Sequence, residues 1–289
     1  MGTASIEVAD TNAGPRRRGR RFPLAWVGTI PFFAYVGVFL LLPTGIVVWG
    51  AISNGSGLDL SNLKVLGNEE VRGYFWHSIE LSGLTAIIGA ALGAVLAYAI
   101  VTGNPNGLVR KVSIAGSGVL AQFGGVTLAF AFNAAIGPTT GYLFHAPWYY
   151  DFPLGIGLIY VYFQIPLMVL IFLPAIGGVK PQWREATENL GGSTWDYWRH
   201  IGGPLLFPAF LGCTLLLFAN ALSAYATIQA WENQVPYVVP QKISLSLSSE
   251  VGLASKNEAQ ALALGMVAMV AVIMTSYVVL QRRTSRWLR

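Results

Sequence analysis

Six apolar stretches divide the chain, at roughly 24–50, 79–101, 112–136, 154–178, 205–230 and 260–281. Each supplies the about 20 residues that a helix needs to cross a bilayer. Pro31, Pro43, Pro166 and Pro174 interrupt some of them. Spans tolerate proline where neighbouring helices or waters satisfy the freed backbone groups. None of the six carries an ionised residue near its centre, and Glu80 sits at an end. The pattern predicts an all-α integral membrane fold with six transmembrane helices. Residues 1–23 read as a basic tail and 24–74 as the first span with its following loop. Residues 75–281 read as a core of spans two to six, and 282–289 as a second basic end.

One connection breaks the pattern. Between spans four and five, over 179–204, runs "WREATENLGGSTWDYWRHIGGP", Trp183 to Pro204, with five charged residues around a glycine pair. Pro181 suits the first turn of a helix, and Glu185 lies near enough to complement its N-terminus. Trp183, Ala186 and Leu190 recur at helical spacing and share a face. Gly191 and Gly192 stop that helix, because glycine reaches the left-handed conformation without a side-chain clash. Ser193 or Thr194 then caps a second helix with Trp195 and Trp198 on one side. Two readings stay open on periodicity alone. The pair lies on the lipid surface, or it is a knob that docks in a groove of a cytoplasmic partner.

Composition supports the membrane reading. Hydrophobic residues make up 54% of the 289, and only 11% are charged, with mean hydropathy +0.55. Soluble domains carry roughly 25% charged residues. The 18 Lys and Arg then orient the chain. Arg16, Arg17, Arg18, Arg20 and Arg21 fall on the same side as Arg110, Lys111, Lys180, Arg184, Arg199, Arg282, Arg283, Arg286 and Arg289. Only Lys64, Arg72, Lys242 and Lys256 fall on the other. The excess of bases marks the cytoplasmic side, so both termini and the 179–204 loop are expected there. The sequence pI of about 9.4 is thus a topology signal, and no nucleic-acid partner is expected. "RRRGRRF" opens a long apolar run without a small-residue cleavage site, so it reads as the lead to a retained span.

The visible chemistry is sparse. Cys213 is the single cysteine, which rules out an intramolecular disulfide. No phosphate-binding P-loop, H-E-x-x-H, C-x-x-C or G-x-S-x-G occurs, so no catalytic residue, metal site or cofactor is expected. His77, His145 and His200 lie at span ends or in connections. The polar groups inside the spans are neutral: Gln122, Asn133, Gln164, Asn220, Ser223, Thr227 and Gln229. Such residues bond across helices or line a solute path. "GAALG", Gly89 to Gly93, reads as a seam where two helices approach closely.

The odd connection also carries a resemblance. Glu185-Ala186-Thr187, three residues, Gly191, nine residues, Ile201, one residue and Gly203-Pro204 resembles the signature of binding-protein-dependent ABC importer permeases. The family pattern is E-A-A, three residues, G, nine residues, I, one residue, L-P. Thr187 replaces the second Ala, and Gly203 replaces the Leu. "IPFFAYVGVFLLLPTGIVVWGAIS" looks like an opening span of such permeases, and Leu215 to Ala230 is similar to the fifth span of the polyamine-type branch.

The resemblance implies a non-catalytic permease subunit in a bacterial inner membrane, carrying a polyamine or similar small polar solute. Its implied partners are an ATPase dimer, a homologous or identical second permease, an extracytoplasmic substrate-binding protein and the bilayer. Trp183, Glu185, Ala186, Leu190, Gly191, Ile201 and Pro204 would then form the ATPase-coupling element. Gln122, Asn133, Gln164, Asn220, Ser223 and Gln229 would be the candidate path. The rival is a secondary carrier or channel that works without an ATPase. Proton-driven carriers generally keep ionisable residues inside their spans, and none is seen here.

Overall fold

The computed structural model describes residues 25–53, 57–104, 106–138, 141–143, 145–231, 238–248 and 253–285. The expected basic tail 1–23 lies outside them, as do residues 286–289 of the expected basic end. Two compact units divide the chain, Met1–Ile46 and Val47–Arg289.

The first unit contains α1, Ala25–Val36, a π turn at Gly37–Leu41, and the start of α2, Leu42–Ala51. Pro43 lacks the N–H that would bond to the carbonyl four residues back, and its ring crowds that carbonyl. The widened turn just before it gives the ring room. Ile30, Phe32, Phe33, Tyr35 and Phe39 are 60% to 67% exposed. A helix that is apolar on all sides is built for a lipid surrounding.

In the second unit a 3₁₀ turn, Leu60–Gly67, leads into α3, Glu69–Thr102. Asn68 caps α3 by accepting from the Glu70 N–H, and Glu69 and Glu70 place negative charge at its positive end. There follow α4, Leu108–Gln122; α5, Val126–Ile136; and α6, Leu154–Gly177. Next come α7, Pro181–Asn189, and α8, Thr194–Tyr197. The chain continues through α9, Gly203–Ser223; α10, Tyr225–Ala230; α11, Val239–Ser248; and α12, Leu253–Ser285. Among the described residues no strand occurs.

α3, α6 and α9 form the packed centre. The expected small-residue seam is where α3 meets α6. A Cβ on Gly89 would stand 2.7 Å from the Gln164 Cβ. One on Gly93 would stand 2.5 Å from the Met168 Cβ and 2.7 Å from the Ile165 carbonyl. Absent side chains let the helices close to contact, the geometry small residues permit inside membranes. Met168, Val169, Leu217 and Leu222 fill the core beside the seam.

Two of the six expected spans are not straight. The stretch 112–136 is two helices, α4 and α5, bent by 98°. Phe123, Gly124 and Gly125 make the corner, with Gly125 at φ 71°, a left-handed backbone that glycine adopts without strain. The stretch 205–230 is α9 and α10, broken at Ala224. Among the described residues five helices are long and apolar enough to cross a membrane, and six spans result when the bent pair is one of them. α3 and α12 also begin earlier than the apolar pattern indicates, because their first turns are polar.

Candidate functional site

The connection after α6 is a helix, a glycine corner and a second helix, and each boundary has a local cause. Lys180 is extended, as a residue preceding proline prefers, and Pro181 opens α7. At the far end Gly191 has φ 79°. Its N–H donates to the Glu188 carbonyl at 3.0 Å, and the Gly192 N–H donates to the Thr187 carbonyl at 2.9 Å. That pair of bonds is the Schellman arrangement for ending a helix. The two glycines serve different needs. A Cβ on Gly191 would meet open space, so only its backbone requires glycine. A Cβ on Gly192 would lie 2.7 Å from the Thr187 γ-methyl and 3.1 Å from its carbonyl, so there the need is room.

Ser193 is the cap of α8. Its Oγ accepts from the Asp196 N–H at 3.2 Å, and the Asp196 carboxylate accepts from the Ser193 N–H at 2.9 Å. This reciprocal box satisfies two donors that a helix start leaves free. The Ser193 hydroxyl, and then its N–H, hold the Asp196 carboxyl below its ordinary range. Asp196 precedes the apolar part of its helical run, which starts after Pro204.

Trp198–Gly202 then forms a π turn that joins α8 to α9, with the Gly203 N–H donating to the Trp198 carbonyl. A Cβ on Gly203 would lie 2.5 Å from that carbonyl oxygen. The glycine standing where the resemblance expects leucine is therefore required by the wide turn. Two residues expected to share a side differ in burial. Trp195 is 70% exposed, whereas Trp198 packs edge-on against Tyr98 at 5.1 Å.

The connection thus has two faces. Tyr197 is buried and packs on Trp198, which fastens the element to α3. Outward lie Trp183, Leu190 at 89% exposure, and Trp195. Ala186, Glu185 and Pro204 are exposed and Ile201 is half-buried. Glu185 makes no hydrogen bond or ion pair among the described residues, while Arg184 donates to Glu188 at 3.0 Å on the exposed surface. That contact raises the Arg184 pKa, the hydrogen bond first and the charge of Glu188 second.

The candidate path residues separate into two groups. Gln164 is fully buried between α6 and α3, where its amide donates to the Thr85 Oγ1 at 2.9 Å. Thr227 is also buried, and Asn133 is half-buried, with its Oδ1 accepting from the Tyr150 hydroxyl at 3.3 Å. Gln122, Asn220, Ser223 and Gln229 are exposed. Gln122 ends α4, Asn220 and Ser223 end α9, and Gln229 lies on α10, so all four stand near a break. The two breaks meet. A Cβ on Gly125 would lie 3.9 Å from the Ala226 Cβ, and α5 packs on α10. Sequence reading missed Gly125 and Tyr160, which shape this region; the adjacent glycines at 124 and 125 were the available signal.

These features define a fold seen in ABC transporters. A bacterial ABC transporter involved in the import of the acidic polysaccharide alginate superposes with TM-score 0.69, at 16% identity over 90% of this chain and 95% of that one. The MetNI methionine ABC transporter gives TM-score 0.54, at 14% identity over 74% of this chain and 95% of that one. No family model matches the sequence. The sequence is similar to a probable ABC transporter permease protein, y4fN, of Sinorhizobium fredii, 26% identical over 225 residues. It is also 27% identical over 84 residues to a probable sulfate transport system permease protein, cysT, of Chlorokybus atmophyticus. The matches cover 72% and 29% of this chain. The chain spans 38% and 29% of the length of these curated relatives.

Proposed function

We propose that the chain is the permease subunit of an ATP-driven, binding-protein-dependent importer in a bacterial inner membrane, with both termini cytoplasmic. The observation that carries this reading is the two-faced connection between α6 and α9. Two backbone hydrogen bonds close its corner, Trp198 fastens it inward, and it is bare outward at Trp183, Glu185, Leu190 and Trp195. A surface-lying lipid anchor has no need of a fixed corner and a free carboxylate. A lever between a soluble engine and the spans needs both.

In this mechanism the outward face seats in a cleft of a partner ATPase, with Glu185 making polar contact and Ala186 allowing close approach. Closure of the ATPase dimer moves α7 and α8, and Trp198 passes the movement to α3 through Tyr98. Together with a second permease, homologous or identical, the chain then alternates its access. A substrate-binding protein outside delivers the solute. The alginate transporter solved with its pentasaccharide-bound periplasmic protein supports that kind of partner. Gln122, Asn133, Asn220, Ser223 and Gln229 line the path in this reading, since irregular backbone at membrane depth is tolerated where protein or a water-filled cavity covers it. Gln164 serves the α3–α6 packing. The solute is small and polar; the polyamine reading rests on the Leu215–Ala230 resemblance alone, and the relatives' names concern sulfate, alginate and methionine.

The test uses Gly191→Val, Gly191→Asn and Glu185→Lys in the purified complex. Valine in the left-handed conformation costs roughly 1–2 kcal/mol, whereas asparagine visits it readily. Valine and lysine are expected to lower ATPase bound per permease and binding-protein-stimulated hydrolysis, with asparagine near wild type. Wild-type values in all three would reject the coupling role, and transport without any ATPase would favour a secondary carrier.

A further inference from the structure

A groove of about 800 Å³ opens between the first third of α3, the 3₁₀ turn and the middle of α12. One ridge of α3 forms its wall: Glu69, Arg72, Trp76 and Ile79 follow each other at helical spacing, all lining the groove. Glu69 and Arg72 are exposed and form no ion pair with each other among the described residues. Trp76 is 65% exposed. Beyond them the lining is apolar, with Ile79 on α3 facing Ala268 and Met269 on α12.

The ridge therefore carries a polarity gradient. An acid and a base come first, an indole second, and aliphatic side chains last. Ten residues of helix rise roughly 15 Å, about half the thickness of a bilayer's hydrocarbon core. One leaflet has the same order over the same depth: charged headgroup, interfacial belt, acyl chain. The floor is open too. A Cβ on Gly73 would meet nothing within 4 Å, while Gly265 is closely covered by Phe75 and Leu66.

We propose that this groove holds one zwitterionic aminophospholipid, of the phosphatidylethanolamine type. Its phosphate pairs with Arg72, its ammonium pairs with Glu69, and an acyl chain lies along Ile79 and Met269. The charge pattern selects this occupant. A base alone would favour an anionic lipid; an acid one turn before it favours a headgroup carrying both signs. Guanidinium on phosphate and carboxylate on a primary ammonium are charge-assisted hydrogen bonds. The proposal requires only that the chain spans a bilayer, and it is independent of the coupling role.

The full chain is purified in mild detergent and placed in nanodiscs of equal phosphatidylethanolamine and phosphatidylglycerol. After re-extraction, the retained lipid is identified by native mass spectrometry. Wild type is expected to retain phosphatidylethanolamine about threefold over phosphatidylglycerol, the range that exposed ion pairs support. Glu69→Gln leaves Arg72 as the charge on the ridge and should bring that ratio below one, in favour of phosphatidylglycerol. Gly73→Leu fills the open floor without touching a charge and should reduce retention of both lipids. Equal retention of the two lipids by wild type overturns the proposal, as does an unchanged preference in Glu69→Gln. A photocrosslinker at position 76 that captures a protein subunit and no lipid also overturns it, marking the groove as a protein-docking face.

Discussion

The Tyr160 hydroxyl donates to the Ala224 carbonyl at 2.7 Å, joining α6 to the break between α9 and α10. Both residues lie where the sequence is apolar, and Tyr160 is 2% exposed. A helix break at this depth frees backbone groups that lipid does not satisfy. The tyrosine supplies one of the missing partners from a neighbouring span.

Tyr160→Phe keeps the ring and removes that donor. Ala224 is half-buried, so losing the bond costs at most what an unsatisfied buried group does, about 1–3 kcal/mol. The variant is expected to insert normally and to unfold at lower temperature or lower denaturant than wild type in detergent. An unchanged transition would mean that the break is satisfied without the tyrosine.

The seam between α3 and α6 gives a contrast within one helix. Gly93→Val pushes a side chain against the Ile165 backbone, which has nowhere to go, while Gly83 has nothing within 4 Å of an added Cβ. Overpacking of this kind costs about 1–3 kcal/mol. Gly93→Val should destabilise the chain and Gly83→Val should not, by the same unfolding measurement. Equal behaviour of the two would mean that α3 and α6 approach less closely than described.

Apolar run length made the spans legible, and the 179–204 connection was legible because its signals are local. Pro181, the glycine pair and Ser193 each act within a turn of their own position, and each does what its residue type implies. The failures lie where a neighbour decides. "QFGGV" reads as a continuous span by hydropathy, and the 98° corner exists because Gly125 takes a positive φ and α5 turns to pack on α10. Ala224 has no breaking residue beside it, and the hydroxyl that meets its carbonyl belongs to Tyr160, 64 positions away. Likewise no period separates Gln164, buried in a seam, from Asn220, exposed beside a break. Composition gives both as neutral polar residues in apolar runs.

Orientation is open to direct labelling. The expected cytoplasmic side carries the α6–α9 connection, and the opposite side carries α11. Asn189 and Ser248 are both exposed, so accessibility alone does not distinguish them. With Cys213 replaced by alanine, Ser248→Cys should react with an impermeant thiol reagent in intact cells, and Asn189→Cys should react only after permeabilisation. The reverse pattern would invert the topology and remove the ATPase from the outward face of α7.

Gly203 stands where the resemblance expects leucine. By helix propensity alone leucine should improve the start of α9, by up to about 1 kcal/mol over glycine. The geometry argues the other way. A Cβ there falls 2.5 Å from the Trp198 carbonyl oxygen, a contact that no rotamer relieves because the Cβ itself makes it. The turn must then close from five-residue to four-residue bonding, or α9 must move away from Trp198. Closing it drops one residue from the winding and turns everything before it by about 100° relative to α9. Trp195 and Trp198 would turn together, Trp198 would leave its contact on Tyr98, and α7 would follow. Gly203→Ala should therefore behave like Gly203→Leu, since both carry the offending atom. Both are expected to reach the membrane in normal amounts and to lose ATPase retention and binding-protein-stimulated hydrolysis together. A leucine variant that is more stable and fully coupled would show that the wide turn is dispensable.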